Sequence, residues 1–334
     1  MSLVNNYWHF FSKGYLYTRT DGGFLGTKYK KAVFREFTDD TFRFEKKRGY
    51  REIHLGLLGP FIRAEVGDVI EVVFMNKAAY PFSMKPHGVF TNKGNEGMKY
   101  NDNSSFDDDD EVQPGKTFTY QWTVPQRAGP GPNEPNCVGW MYHSGANLIR
   151  DTPSGLMGPL VTCRRGILDA RNQRLDKHTR EFAMMYYIIN ENRSYYIKDN
   201  MDRIKGTMAP HVEFEESNLM NCINGYIYGN TPGMVMEVGE HVTWYVMGLG
   251  SEDDFHTAHF HGQTYVHRTA KSHRGDVLEV FPGTYETVDM FTDNPGTWLI
   301  HCHVLDHLSH GMEAKYAVVP KGGKCLLFIF CFYA

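Results

Sequence analysis

One feature of this 334-residue chain limits its fold more than any other: the sequence repeats itself. The stretch "AEVGDVIEVVFM" from Ala64 is echoed by "MEVGEHVTWYVM" from Met236, each an apolar run launched from a Val-Gly-acid turn. Downstream, "KPHGVF" from Lys85 matches "HFHGQTY" from His259, "QPGKTFTYQW" matches "FPGTYETVDM", and "GWMYHSGANLI" matches "TWLIHCHVLDH". Matches kept in the same order imply a duplicated unit, and the length suits two domains that each bury a core. The charged, strand-poor stretch "CRRGILDARNQRLDKHTR" marks the division. It gives a first domain over 1–176, a second over 177–320, and an apolar tail over 321–334.

Inside each unit, short runs rich in Val, Ile, Tyr, Phe and Thr are punctuated by 33 Gly and 15 Pro, the pattern of strands joined by turns. The fold class expected is all-β: two tandem antiparallel Greek-key sandwiches of about eight short strands each, with loops gathered at one end. A net charge of -4 offers no basic stripe for phosphates, which excludes nucleic acid as a partner. The acidic run from Asp107 to Glu111 reads as a solvated loop.

Six cysteines are too few for a disulfide scaffold. Cys137 and Cys163 flank a Trp- and Gly-containing segment, and a bond between them would imply an oxidising compartment. The sequons at Asn103 and Asn192 point the same way, towards an extracellular protein. The opening "MSLVNNYWHFFSKG" has no secretory pattern and reads as a start inside a domain. The ending "CLLFIFCFYA" spans only about half a bilayer as helix and reads as an atypical end.

The chemistry concentrates in "TWLIHCHVLDHLSHGM", Thr297 to Met312, and in "FHTAHFHG" from Phe255. Successive strand residues point to opposite faces, so His301 and His303 go one way and Cys302 the other. On the cysteine's face, Cys302, His307 and His256 supply a thiolate and two imidazoles, with Met312 as a weak axial thioether. That is the ligand set of a blue copper electron-transfer site. On the other face, His259, His261, His301 and His303 offer only imidazole, as a copper cluster handling dioxygen needs. A structural zinc site would instead call for four strong ligands. His267, His273 and His310 read as ordinary loop or core residues.

These motifs resemble the multicopper oxidases and, more narrowly, the ceruloplasmin–hephaestin family. The resemblance runs from about Lys28 to Pro320 and includes "EIHLGLLGP", "EVGD", "SGLMGPLVTC" and "ESNLMN". It implies cupredoxin-like domains, of which this chain matches the last two of six. It also implies a blue copper on His256, Cys302, His307 and Met312, and half of a trinuclear copper cluster on His259, His261, His301 and His303. The other half then comes from the remaining cupredoxin domains of a longer protein. Fe(II) and O2 are the implied substrates. Glu216 and Asp306 match iron-binding positions, Asn221 stands where the family commonly has a histidine, and Glu252 resembles a carboxylate given to a neighbouring domain's iron site.

Aligned on the repeat, Lys85 and His87 stand opposite His259 and His261, while His143, Ser144 and Gly145 stand opposite His301, Cys302 and His303. The first domain therefore reads as copper-free, with Cys137 and Cys163 as its disulfide. The leading expectation is the carboxy-terminal part of an extracellular ferroxidase. The alternative is an electron-transfer module without oxidase turnover. The resemblance covers secreted and membrane-anchored parents alike, and the tail does not choose between them.

Overall fold

The chain's structure, a computed structural model, describes residues 14–101, 109–176 and 180–322. Asn103, Asp107, Asp108, Lys177 and the apolar ending lie outside the described residues. The first copy of the repeat supplies β1 (Ile62–Glu65), β2 (Val69–Met75), β3 (Lys85–Pro86), β4 (Thr117–Thr123), β5 (Cys137–His143) and β6 (Met157–Cys163). The second supplies β7 (Arg180–Asn190), β8 (Leu219–Ile223), β9 (Val235–Glu237), β10 (His241–Gly248), β11 (His256–Phe260) and β12 (Tyr265–Arg268). It continues with β13 (Ser272–Gly275), β14 (Val277–Val280), β15 (Tyr285–Phe291), β16 (Gly296–Cys302) and β17 (Glu313–Val319). Short helices α1 (Gly14–Thr18), α2 (Leu148–Ser154), α3 (Ile197–Met201), α4 (His211–Ser217) and α5 (Leu305–Ser309) fill the connections.

The fold is all-β, with two tandem cupredoxin-like Greek-key sandwiches. In the second copy, a sheet ordered β13-β12-β15-β10-β7-β8 and another ordered β14-β11-β16-β17-β9 share one core. Trp244, Phe182 and Val288 from the first meet Phe260, Ile300 and Tyr316 from the second. In the first copy the sheets are β1-β6-β5-β3 and β2-β4, packed around Trp122, Tyr120, Tyr142 and Phe82.

Three expectations need correction. Among the described residues the strands number six in the first copy and eleven in the second, not about eight in each. The sheets are mixed, because β1 runs parallel to β6, β7 to β10 and β9 to β17. Long crossovers through the opposite sheet bring such strands together in the same direction, which hairpin-by-hairpin reading misses. The acidic run is also not simply a solvated loop. Asp109 is 1 % exposed and Asp110 5 %. The Asp109 carboxylate accepts from Gly97 N–H at 3.0 Å, and its carbonyl accepts from the Tyr120 hydroxyl at 2.6 Å.

A further apolar cluster joins the copies, with Leu55, Met141 and Val161 packing against Met185, Tyr187, Tyr245 and Met247. Cys137 and Cys163 form a disulfide inside it, across the β5–β6 register and with 26 residues of sequence separation. Restriction of the unfolded chain by such a loop is worth about 3 kcal/mol. The double variant Cys137→Ala/Cys163→Ala should therefore lose about 3 kcal/mol of unfolding free energy, with a larger m-value because the released chain unfolds to a more expanded state, and with the second copy's metal spectrum retained. Equal unfolding free energies would show that the bond contributes nothing to stability.

At the Asn192 sequon, the side-chain amide donates to Asn190 Oδ1 at 3.1 Å and to the Glu215 carbonyl at 2.9 Å. A glycan on that nitrogen would leave one N–H for two acceptors. Among the described residues, no helix is long and apolar enough to cross a membrane.

Candidate metal centres

Strand β11 alternates cleanly: His256, Ala258 and Phe260 are buried, while Thr257 and His259 are half-buried. Its neighbour β16 pairs Cys302 with Ala258 and His301 with His259. Two faces of one strand pair therefore carry two donor sets.

On the core face, His256 Nδ1 and His307 Nδ1 lie 3.1 Å apart, and Cys302 Sγ sits 3.8 Å from the first and 3.5 Å from the second. All three side chains are buried. The loop after β16 folds back through α5, and its backbone fixes the donors. Cys302 N–H donates to the Met312 carbonyl and Met312 N–H to the His307 carbonyl, each at 3.0 Å. Met312 is fully buried in the same core as Cys302.

Asp254, 2 % exposed, was missed in the sequence although it lies only two residues before His256. Its carboxylate accepts from Ile188 N–H at 2.6 Å and Ser251 N–H at 2.8 Å, and stands 3.5 Å from His256 Nε2. An acid there favours the ring proton on Nε2 and leaves the Nδ1 lone pair facing His307 and Cys302. Burial lowers His307 below the usual histidine range and pushes the Cys302 thiol up. Two imidazoles and a thiol converge on a buried point, with Met312 in the same core, so the donor chemistry fits copper. Since burial keeps the thiol protonated, metal uptake must release its proton, and acid weakens binding.

On the opposite face, His259, His261 and His301 bring ligand atoms within 4.8 Å of one another. His261 Nε2 and His301 Nε2 are 3.0 Å apart. His301 Nδ1 lies 2.8 Å from the Cys302 carbonyl, to which it donates, so its Nε2 carries the lone pair. His259 Nδ1 is buried without a hydrogen-bond partner among the described residues. His303 is exposed, its ring 5.3 Å from that of His259 and 5.6 Å from that of His301, at the open edge of the group. Burial and neighbouring imidazoles push His301 down to about 4, so it is neutral and able to ligate at neutral pH. This set also fits copper, by its imidazole donors and the orphaned His259 nitrogen.

Beside the cysteine-containing centre, the Tyr17 hydroxyl from α1 donates to Glu216 Oε1 from α4 at 2.7 Å. Burial first, then Glu216 and Asp306, raises the Tyr17 phenol above its usual range. Asp306 is exposed, one residue before His307. His310, read in the sequence as an ordinary residue, is 5 % exposed, with Nε2 3.9 Å from Asp306 Oδ1 and its ring 5.0 Å from that of Tyr17. Nothing local in the sequence signals Tyr17, which is 199 residues from Glu216. Asn221 is buried on β8, with Oδ1 unpartnered among the described residues. Glu252 is exposed in the β10–β11 connection.

In the first copy, Phe82 stands five residues before His87, as His256 stands five before His261, and Ser144 takes the place of Cys302. Ser144 donates to the buried Asp151 at 2.6 Å. A hydroxyl hydrogen-bonded to a carboxylate thus stands where the second copy offers a thiol.

A family profile described as "Multicopper oxidase" matches residues 41–165, and a second of the same description matches 197–322. The chain is 45% identical over 314 residues to hephaestin of Mus musculus, covering 92% of this chain and 26% of that protein. It is 46% identical over 299 residues to ferroxidase HEPHL1 of Mus musculus, covering 88% and 25%. With ceruloplasmin of Rattus norvegicus it shares 42% identity over 302 residues, covering 89% and 27%. The chain spans about a quarter of the length of these relatives. Among solved structures, the blue copper oxidase from Nitrosomonas europaea superposes with a TM-score of 0.57 at 18% identity, covering 89% of this chain and 84% of that one. A multicopper oxidase named mgLAC gives 0.57 at 19% identity, with 82% and 80% covered. Likeness at that identity speaks for the fold alone.

Proposed function

The chain belongs to the multicopper oxidase family, on its hephaestin–ceruloplasmin branch, and from that premise we propose that it is the carboxy-terminal part of an extracellular ferroxidase. Its domains divide as 1–176, with no blue centre, and 177–320, with both copper centres. The carrying observation is that adjacent residues of β16 face opposite centres: Cys302 turns to His256 and His307, and His301 to His259 and His261.

Copper bound at these centres supplies one-electron chemistry, by which electrons from Fe(II) reach O2 and water is formed. The protein's own residues set the path and hold the donors. Cys302 and His301 are covalently adjacent, and the His301 Nδ1 contact to the Cys302 carbonyl ties the two faces a second time. Met312 and the core around it exclude water from the thiolate. Asp306, next to His307 in the chain, and Glu216, which shares Tyr17 with Asp306 as a neighbour, offer hard oxygen donors that suit iron and favour its ferric state. Glu252, exposed and distant in sequence from that pair, is proposed as a ligand towards a neighbouring domain. The second half of the cluster would come from the remaining cupredoxin domains.

Asn221 presents a neutral amide where an imidazole would bind iron better. In the copper-loaded chain under anaerobic conditions, Asn221→His should speed bleaching of the blue band by Fe(II), by about tenfold, and Asp306→Ala should slow it by a similar factor. Copper affinity should not change. If both variants bleach at the parent rate with an intact copper spectrum, iron does not donate at Glu216 and Asp306.

The alternative, an electron-transfer module without oxidase turnover, is favoured by the donor count for the isolated chain. Among the described residues the cluster face holds one half-set of imidazoles.

A further inference from the structure

The first copy keeps one histidine from each half-pair, and the structure holds them as it holds their counterparts. His87 Nε2 and His143 Nε2 are 2.9 Å apart, against 3.0 Å for His261 and His301. His143 Nδ1 lies 2.8 Å from the Ser144 carbonyl, as His301 Nδ1 lies 2.8 Å from that of Cys302. His87 N–H donates to the Met141 carbonyl at 2.9 Å, and His261 N–H to the Leu299 carbonyl at 3.0 Å. The register agrees too, with Lys85 opposite His143 and His259 opposite His301. Even the turn is kept. Gly88 and Gly262 have φ of 76° and 69°, and a side chain at either would collide with Trp140 or Trp298 respectively.

We propose that His87 and His143 form a second kind of copper site, a two-coordinate seat for monovalent copper between their Nε2 atoms. This departs from the copper-free reading of the first domain. It stands on that domain's residues and does not depend on the ferroxidase proposal.

Several observations select the ion. Both donors are neutral imidazoles, and no thiolate or carboxylate joins them in a group of three among the described residues. Divalent zinc asks for four ligands. Monovalent copper accepts two nitrogens in line, and its single charge costs less to bury without an anionic ligand. Lys85, at the position of His259, is paired with Glu96 at 2.9 Å and so does not present an uncompensated cation. Burial, with His143 and Lys85 nearby, pushes His87 down to about 3, and burial also lowers His143. Both rings are then neutral at neutral pH: the His143 Nε2 lone pair faces His87, and a shift of the His87 ring proton from Nε2 to Nδ1 frees the second lone pair for the ion. Seating an ion requires the rings to part by about 1 Å, from hydrogen-bond distance to twice a metal–nitrogen bond. The His261–His301 pair needs the same opening. The Tyr285 ring of the second copy lies 5.3 Å from the His87 ring, tilted against it, and closes that side.

The test uses the full chain with its second-copy centres already copper-loaded, then reduced without oxygen. Cu(I) is titrated against a chromogenic Cu(I) chelator while the histidine ring resonances are followed by NMR. The unaltered chain should take up one further Cu(I), shifting the His87 and His143 ring signals and no other histidines. His87→Ala and, separately, His143→Ala should weaken that uptake by more than about 100-fold, with the blue band after reoxidation unchanged. The NMR arm on the unaltered chain decides the matter even if a variant folds poorly. No further Cu(I) uptake, or uptake that leaves those two signals unmoved, overturns the site.

Discussion

Cys302→Ser should leave the copper-loaded chain colourless. The intense visible band of a blue centre is a thiolate-to-copper transition, and a serine hydroxyl supplies neither the soft sulfur nor the negative charge. His256 and His307 remain, so some copper can still bind, with affinity lower by more than about 100-fold. The substituted hydroxyl is also poorly served. In the first copy, Ser144 has the buried Asp151 to accept its proton, whereas the Cys302 sulfur is faced by two imidazole nitrogens. Absorption and copper content measured on the same samples give the answer. A variant that keeps the band at full copper occupancy would place the colour elsewhere.

The purified monomer should reduce dioxygen at less than about a hundredth of the rate of an assembled oxidase of this family, because half of the cluster's imidazoles are missing. His87 and His143 cannot make good the deficit. They lie in the other copy, and the remaining two positions there are Lys85 and Gly145. Fe(II) should still bleach the blue centre of the monomer once, since that step uses only the second copy. Oxygen uptake followed alongside a sizing measurement distinguishes the cases. Near-normal turnover by a proven monomer would contradict the half-cluster assignment.

Much of this was legible from the chain because the decisive spacing is local. A period of two along β16 separates Cys302 from His301 before any tertiary contact is known, and β11 follows the same rule. The repeat exposed the duplicated fold for the same reason. What the sequence hid depends on contacts between distant segments. The parallel pairing of β7 with β10 arises from a crossover, and Tyr17 meets Glu216 only because α1 packs on α4. Asp109 looked like part of a solvated acid run because charge alone carries no sign of the Gly97 and Tyr120 donors waiting for it. His310 reads in the sequence as an ordinary loop or core residue, and nothing there shows that the α5 turn brings it beside Asp306. The resemblance of His87 and His143 to the cluster pair was countable in the alignment, but their matched hydrogen bonds were not.

Anomalous diffraction at the copper edge from crystals of the copper-loaded chain probes the two-sided reading of β16 most directly. The expected map has one peak among Cys302 Sγ, His256 Nδ1 and His307 Nδ1, and separate density on the far side of the strand beside His259, His261 and His301. Copper confined to the imidazole face, with Cys302 left as a free thiol, would contradict it.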